Sequence, residues 1–141
     1  MSQLTLEHAS VIVDKALEHG RAQNFKPLTV VVLDAGGHMV AMKREDRSSL
    51  LRREIAEGKA WGVLGMGFGG REFQRRAQQG ALFLTALMAA SGGRVVPAPG
   101  GVLVKHGDEI VGSVGISGDT SDNDEACAIA GIKAAGLTPE P

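Results

Sequence analysis

Glycine makes up 20 of the 141 residues, about twice the usual ~7%. Much of it stands in pairs between apolar runs: Gly36-Gly37, Gly69-Gly70, Gly92-Gly93 and Gly100-Gly101. Paired glycines in such places mark tight turns and close backbone approach rather than a flexible linker. The chain is therefore short elements joined by sharp corners. The core they build must be aliphatic: hydrophobic residues reach 43% but aromatics only 4%, with no tyrosine and the single tryptophan Trp61. A length of 141 residues fits one domain spanning 1–141.

Thr5 suits the N-cap of a first helix running to about His19, with Leu6, Ala9, Ile12, Val13, Ala16 and Leu17 on one face. Residues 28–33 (LTVVVL) and 38–43 (HMVAMK), joined by the turn sequence 34–37 (DAGG), predict a β-hairpin. A second helix is expected from Ser48 or Ser49 to about Leu64, with Leu51, Ile55, Gly62 and Val63 on its buried arc. Lys59 falls inside that arc, whereas Glu54, Glu57 and Trp61 fall on the other side. A third helical stretch follows over 71–90, with a possible break at Gly80. Residues 94–97 predict a short edge strand, since proline suits sheet edges. Residues 102–105 and 109–116 predict a second hairpin. Asp122 and Glu125 have capping-box spacing for a last helix, which Gly136 and Pro139 end. The order α-β-β-α-α-β-β-β-α predicts an α+β fold in which an antiparallel sheet is covered by helices.

Composition excludes several classes. Lys and Arg number 15 against 16 Asp and Glu, so no basic stripe points to nucleic acid, and Arg71, Arg75 and Arg76 read as a solvated helix face. One cysteine, Cys127, permits no internal disulfide and fits a reducing compartment. The start of the chain has no signal-peptide pattern. The apolar run 81–90 is half the ~20 residues of a membrane span. A cytoplasmic protein with no membrane or nucleic-acid partner is the expectation. That apolar run also exceeds what one small sheet needs for cover, which predicts a homo-oligomer.

Four constellations bear on chemistry. The turns at Gly100-Gly101 and Gly115-Ile116-Ser117-Gly118 lie at neighbouring ends of one hairpin and lead into the last helix. Free backbone N–H groups there suit a carboxylate better than a phosphate, because Asp119, Asp122, Asp124 and Glu125 make the helix start acidic. The same glycines can instead only shape turns. Lys59 in an apolar arc is unusual: it can pair with Asp34 or Asp124, hold a substrate acid, or snorkel outward. Glu54 and Glu57, three apart on one helix, can share a cation or simply form an exposed face. Of the histidines, none has metal-ligand spacing to another, and His8 alone sits at the edge of an apolar stripe where a flat ligand can lie. Cys127, flanked by acids and without a nearby histidine base, reads as packing.

The segments VVVLDAGGHMVAMKRED, EIAEGKAWG, VPAPGGVLV and VGSVGISGDTSDNDEACAIAGI resemble the GlcG/HbpS family, which includes the C-terminal domain of PduO-type adenosyltransferases. The resemblance runs from about Leu4 to Gly136. It implies a profilin-like fold with a five-stranded antiparallel sheet between helices, and assembly into homo-oligomers. It also implies binding of haem or a related tetrapyrrole, with roles in haem degradation or redox sensing in some members. The family's sensor-kinase role belongs to secreted members and is not expected here. The acidic iron motif of such members resembles Glu54 to Glu57, and the axial histidine of PduO-type domains corresponds to His8. Asp119 stands where many members have glycine, which marks a possible subgroup with a different ligand.

Two functions therefore stand side by side. One is binding of haem or another planar cofactor. The other is an enzyme for a small acidic metabolite, with Lys59, Asp124 and Glu125 as its acid–base groups. Its pocket would be bounded by Asp34, Gly100, Gly101, Gly115, Ser117 and Gly118. The polar lining and the scarcity of aromatics favour the second; the resemblance favours the first.

Overall fold

The structure is a computed structural model and describes residues 3–141; Met1 and Ser2 of the chain's start lie outside the described residues. Helix α1 (Leu6–Ala22) leads into the hairpin β1 (Thr29–Asp34) and β2 (Met39–Arg44). Helices α2 (Arg52–Met66), α3 (Gly70–Gln79) and α4 (Leu82–Ala90) follow. The hairpin β3 (Gly101–His106) and β4 (Glu109–Ser117), helix α5 (Ser121–Ala134) and the short strand β5 (Thr138–Glu140) complete the chain. The five strands form one sheet in the order β2-β1-β4-β3-β5, with every pairing antiparallel. The α+β class and the five-stranded antiparallel sheet are as expected, and the third helical stretch does break at Gly80.

Helices cover both faces of the sheet, and the alternation of β1 shows how. Val30 and Val32 point into a cluster with Ala9, Ile12, Val13 and Ala16 of α1 and with Cys127, Ala128 and Ile132 of α5. Val31 and Leu33 point the other way, onto Ala56 and Ala60 of α2. On that second side Phe73 of α3 and Leu84 of α4 pack with Val63, Val95 and Leu103. A strand buried on both faces reads as a continuous apolar run rather than an alternating one, which is why residues 28–33 look uniform in sequence.

Three local expectations are corrected. Residues 94–97 are irregular, not a strand. Gly58 has no side chain, so this segment lies directly on α2, where the Val96 N–H donates to the Gly58 carbonyl at 3.1 Å. The fifth strand comes instead from Thr138–Glu140, paired to β3 at the sheet edge, where Pro139 sacrifices no interior hydrogen bond. The last helix is capped by Thr120, whose hydroxyl accepts the Asn123 N–H; Asp122 and Glu125 face Arg71 instead. On α2, Leu51 precedes the helix and is exposed, and the buried arc is Ala56, Gly58, Lys59, Ala60, Gly62 and Val63.

Candidate functional site

Helix α2 reaches the end of the sheet because two strands make room for it. Gly101 of β3 and Gly115 of β4 are partners in register. A Cβ on Gly101 would stand 2.5 Å from the Lys59 carbonyl, and one on Gly115 would run into the Ala56 carbonyl. Ser113, also on this side, donates its hydroxyl to the Ala60 carbonyl at 2.7 Å. The helix backbone thus rests on the glycines, and the Lys59 side chain runs along the surface of β4 toward its C-terminal end.

There the Lys59 ammonium donates to the Ile116 carbonyl at 2.9 Å and to Asp124 Oδ2 at 3.2 Å. The other Asp124 oxygen accepts the Asp119 N–H at 2.9 Å. Lys59 is 4% and Asp124 1% exposed. Burial pushes the Lys59 amine below its ordinary range, with Asp124 opposing that and the nearby Arg52 charge adding to it. Burial likewise pushes the Asp124 carboxyl up against the pull of Lys59. Both shifts come from burial, and each is opposed by the partner's charge. Arg52, two helical turns before Lys59, donates to the Ser117 hydroxyl at 3.0 Å and forms the half-buried outer edge of the cluster. Sequence reasoning missed Arg52, although its seven-residue spacing from Lys59 places it on the same helix face.

The remaining sequence candidates divide. Gly100, Gly101, Gly115, Ser117, Gly118, Lys59 and Asp124 gather at this one end of the sheet. The volume the glycines leave is filled by the protein itself. A Cβ on Gly100 would meet the Lys59 ammonium at 2.9 Å, and one on Gly118 would meet the Pro27 carbonyl. Asp34 is not part of the cluster: it pairs in register with Gly112, while Thr29 at the other end of β1 pairs with Ser117. Its carboxylate accepts the Gly36 and His38 N–H groups of its own hairpin. Glu125 is turned away from Lys59 and binds Arg71 at 2.7 Å, alongside the Arg71–Asp122 pair. Arg71 is thus an anchor between α3 and α5 rather than part of a solvated face, and no local signal in the sequence marks it.

Glu54 and Glu57 sit on the outer side of α2 with Arg53 between them, its guanidinium 3.4 Å from Glu57. They border a cavity of about 240 Å³ with Trp61 and Arg94, where the Arg94 guanidinium lies 3.8 Å over the tryptophan ring. Among the described residues no group of three or more His, Cys, Asp and Glu is arranged for a metal ion. His8 is half-buried at the start of α1 and belongs to a capping box: Thr5 Oγ1 accepts the His8 N–H and His8 Nδ1 accepts the Thr5 N–H at 3.3 Å. Cys127 is buried, and burial, with Asp124 next, pushes its thiol up to about 12, so it packs as a neutral group.

The fold and this end-of-sheet cluster define a class: an α+β fold with both sheet faces covered and a buried charged pair at the β4–α5 junction. The family described as "Haem degrading protein HbpS-like" matches residues 4–133, and the chain belongs to that family. An uncharacterised 15.0 kDa protein from the dhaT-dhaS intergenic region of Citrobacter freundii is 30% identical over 102 residues, 72% of this chain and 71% of that protein. The solved PduOC:heme complex is 26% identical, covers 99% of this chain and 100% of its own, and superposes with a TM-score of 0.89. The crystal structure of HbpS is 25% identical over 94% of this chain and 90% of its own, with a TM-score of 0.80. No helix among the described residues is long and apolar enough to cross a membrane.

Proposed function

We propose that this protein binds haem or a closely related planar tetrapyrrole. The observation that carries this reading is the full-length likeness to a haem complex, at 26% identity and a TM-score of 0.89, within a family described by haem degradation. The chain's own surface suits such a ligand. It has apolar side chains open to water, Leu6 of α1 among them, two residues before His8. His8 is the candidate iron ligand. Its Nδ1 lone pair now accepts the Thr5 N–H, so in the neutral ring the proton sits on Nε2. Ligation through Nε2 moves that proton to Nδ1 and gives up half the capping box, a loss of about 1 kcal/mol. Glu54 and Glu57 supply two carboxylates for a separate cation, with the rest of its coordination coming from water or another chain.

Titration of the purified protein with haemin, followed at the Soret band, tests the reading. A saturable red-shifted band is expected, and its amplitude or position should change in His8→Ala. A native protein that produces no Soret shift at micromolar haemin would end the haem reading. A second reading keeps one observation in its favour, the mutually shifted Lys59–Asp124 pair with Arg52 and Ser117 at its outer edge. In that reading a small carboxylic acid displaces Asp124 from Lys59, which requires the first turn of α5 to move aside, and Glu125 joins the site once freed from Arg71. Loss of small-acid binding in Lys59→Met, with haem binding retained, would favour it.

A further inference from the structure

The end of the sheet that receives α2 carries more positive charge than the acids beside it balance. Arg44, Thr29 and Ser117 stand level with one another across β2, β1 and β4. Thr29 shares a face with Val31 and Leu33, the face that α2 covers. Thr29, Ser117 and the nearby Ser48 are buried. Arg52, half-buried at the start of α2, reaches this row. Two neutral hydroxyls hold its guanidinium: Nη1 donates to Ser117 at 3.0 Å and Nε to Ser49 at 3.2 Å. The other arginines of α2 and α3 (Arg53, Arg71, Arg75 and Arg76) each meet a carboxylate; Arg52 meets none among the described residues. Arg44 likewise donates to a backbone carbonyl, that of Ser48 at 3.0 Å, and to no carboxylate among the described residues. Lys59, the third cation here, is already balanced by Asp124.

Hydrogen-bond donors are in surplus as well. A guanidinium offers five N–H groups; Arg52 uses two and keeps both hydrogens of Nη2 and one of Nη1. Ser117 accepts from Arg52, and its own hydroxyl proton has no acceptor among the described residues. The Thr29 and Ser48 hydroxyls share one bond at 2.8 Å, which uses one proton and leaves the other. Free donors on a cation fixed at two of its nitrogens suit an anionic acceptor. A carboxylate matches the planar fork of a guanidinium with two parallel bonds. Asp124, within reach of Lys59 and the Asp119 N–H, makes a singly charged acid a better fit than a phosphate dianion. We infer that a small carboxylate docks on Arg52, with Arg44 as the second cation of the site. The inference goes beyond the haem reading and does not draw on it. It also differs from the reading in which an acid replaces Asp124 on Lys59: here the Lys59–Asp124 pair stays closed behind the site.

The test titrates acetate, acetamide and inorganic phosphate into the native protein, Arg52→Gln, Arg52→Lys, Arg44→Gln and Lys59→Met/Asp124→Leu. Amide NMR shifts follow binding, and circular dichroism checks that each variant is folded. Acetate should give saturable shifts around Ser117 in the native protein, and acetamide should give none. Arg52→Gln should weaken acetate about tenfold or more. Arg52→Lys, which keeps the charge without the fork, should fall between the two, and Arg44→Gln should weaken it by less than Arg52→Gln. Lys59→Met/Asp124→Leu should keep its acetate affinity, because the docking cation lies outside that pair. Equal acetate affinity in the native protein and Arg52→Gln overturns the site. Binding that is lost in Lys59→Met/Asp124→Leu but kept in Arg52→Gln also overturns it and places the acid on Lys59 instead. Acetamide that binds as tightly as acetate overturns recognition by charge, and phosphate that binds more tightly overturns the carboxylate. A native protein with no saturable acetate shift overturns the proposal outright. The haem reading is untouched by each of these results, since it is read separately at the Soret band.

Discussion

Replacing Lys59 by methionine keeps most of the apolar stem and removes the ammonium. Asp124, 1% exposed, then loses the cation it pairs with and, among the described residues, keeps the bond from the Asp119 N–H. The Ile116 carbonyl loses its donor as well. Removing one partner of a buried pair typically destabilises by about 3–5 kcal/mol, because the charge left behind is uncompensated. For a chain of this size each kcal/mol moves Tm by roughly 2–4 °C, so Tm should fall by about 10 °C. The loss should depend on pH with a definite sign. Burial already pushes the Asp124 carboxyl up, and without Lys59 nothing charged opposes it. The folded variant then binds a proton that the unfolded chain does not, so its stability rises as pH falls toward the raised carboxyl range and is lowest at neutral pH and above. The double variant Lys59→Met/Asp124→Leu removes both charges and should recover much of the loss, since apolar replacement of both partners is often neutral or stabilising. Urea melts of the native protein, Lys59→Met, Asp124→Leu and the double variant at pH 7 and pH 5 measure all of this. A single variant that loses less than about 1 kcal/mol, or a double variant that loses the sum of its singles, would refute a tightly coupled buried pair.

Gly115→Ala should be strongly destabilising, by about 1–3 kcal/mol or more, because the added methyl runs into the Ala56 carbonyl; a urea midpoint equal to the native one would contradict the close seat of α2 on β4. Self-association is expected from the water-facing apolar residues Leu82, Phe83 and Met88 of α4 and Leu50 and Leu51 ahead of α2. Light scattering at micromolar concentration that finds monomer alone would refute it.

The parts of the fold legible in sequence were those with a local cause. Thr5 caps α1 by its own hydroxyl, the DAGG turn closes its hairpin through Asp34 and its neighbours, and Gly80 breaks the third helical stretch at a positive φ of 140°. What failed depended on contacts distant in the chain. Residues 94–97 carry a plausible edge-strand composition, yet a missing side chain at Gly58 draws them onto α2 and off the sheet. Pro139 reads as a stop signal but lies in the fifth strand, since an outermost strand tolerates proline.

The candidate site divides along the same line. Lys59 was legible because its own helix arc is apolar, and that anomaly is visible at 100° per residue. Its partner was not, since Asp34 and Asp124 are both remote from Lys59 in sequence; only the register of β1, which sends Asp34 to the far end of the sheet and brings Ser117 level with Thr29, decides between them. The glycines were legible as positions of close approach but not as to what approaches. In the fold it is the α2 backbone at Gly101 and Gly115 and the Lys59 ammonium at Gly100. A glycine-lined end of a sheet is therefore equally the signature of an open cradle and of a helix packed hard against strands. The two differ only in whether a side chain from elsewhere fills the volume, and here a charged one does. That has a consequence for ligand entry: a small acid must displace Asp124 to reach Lys59.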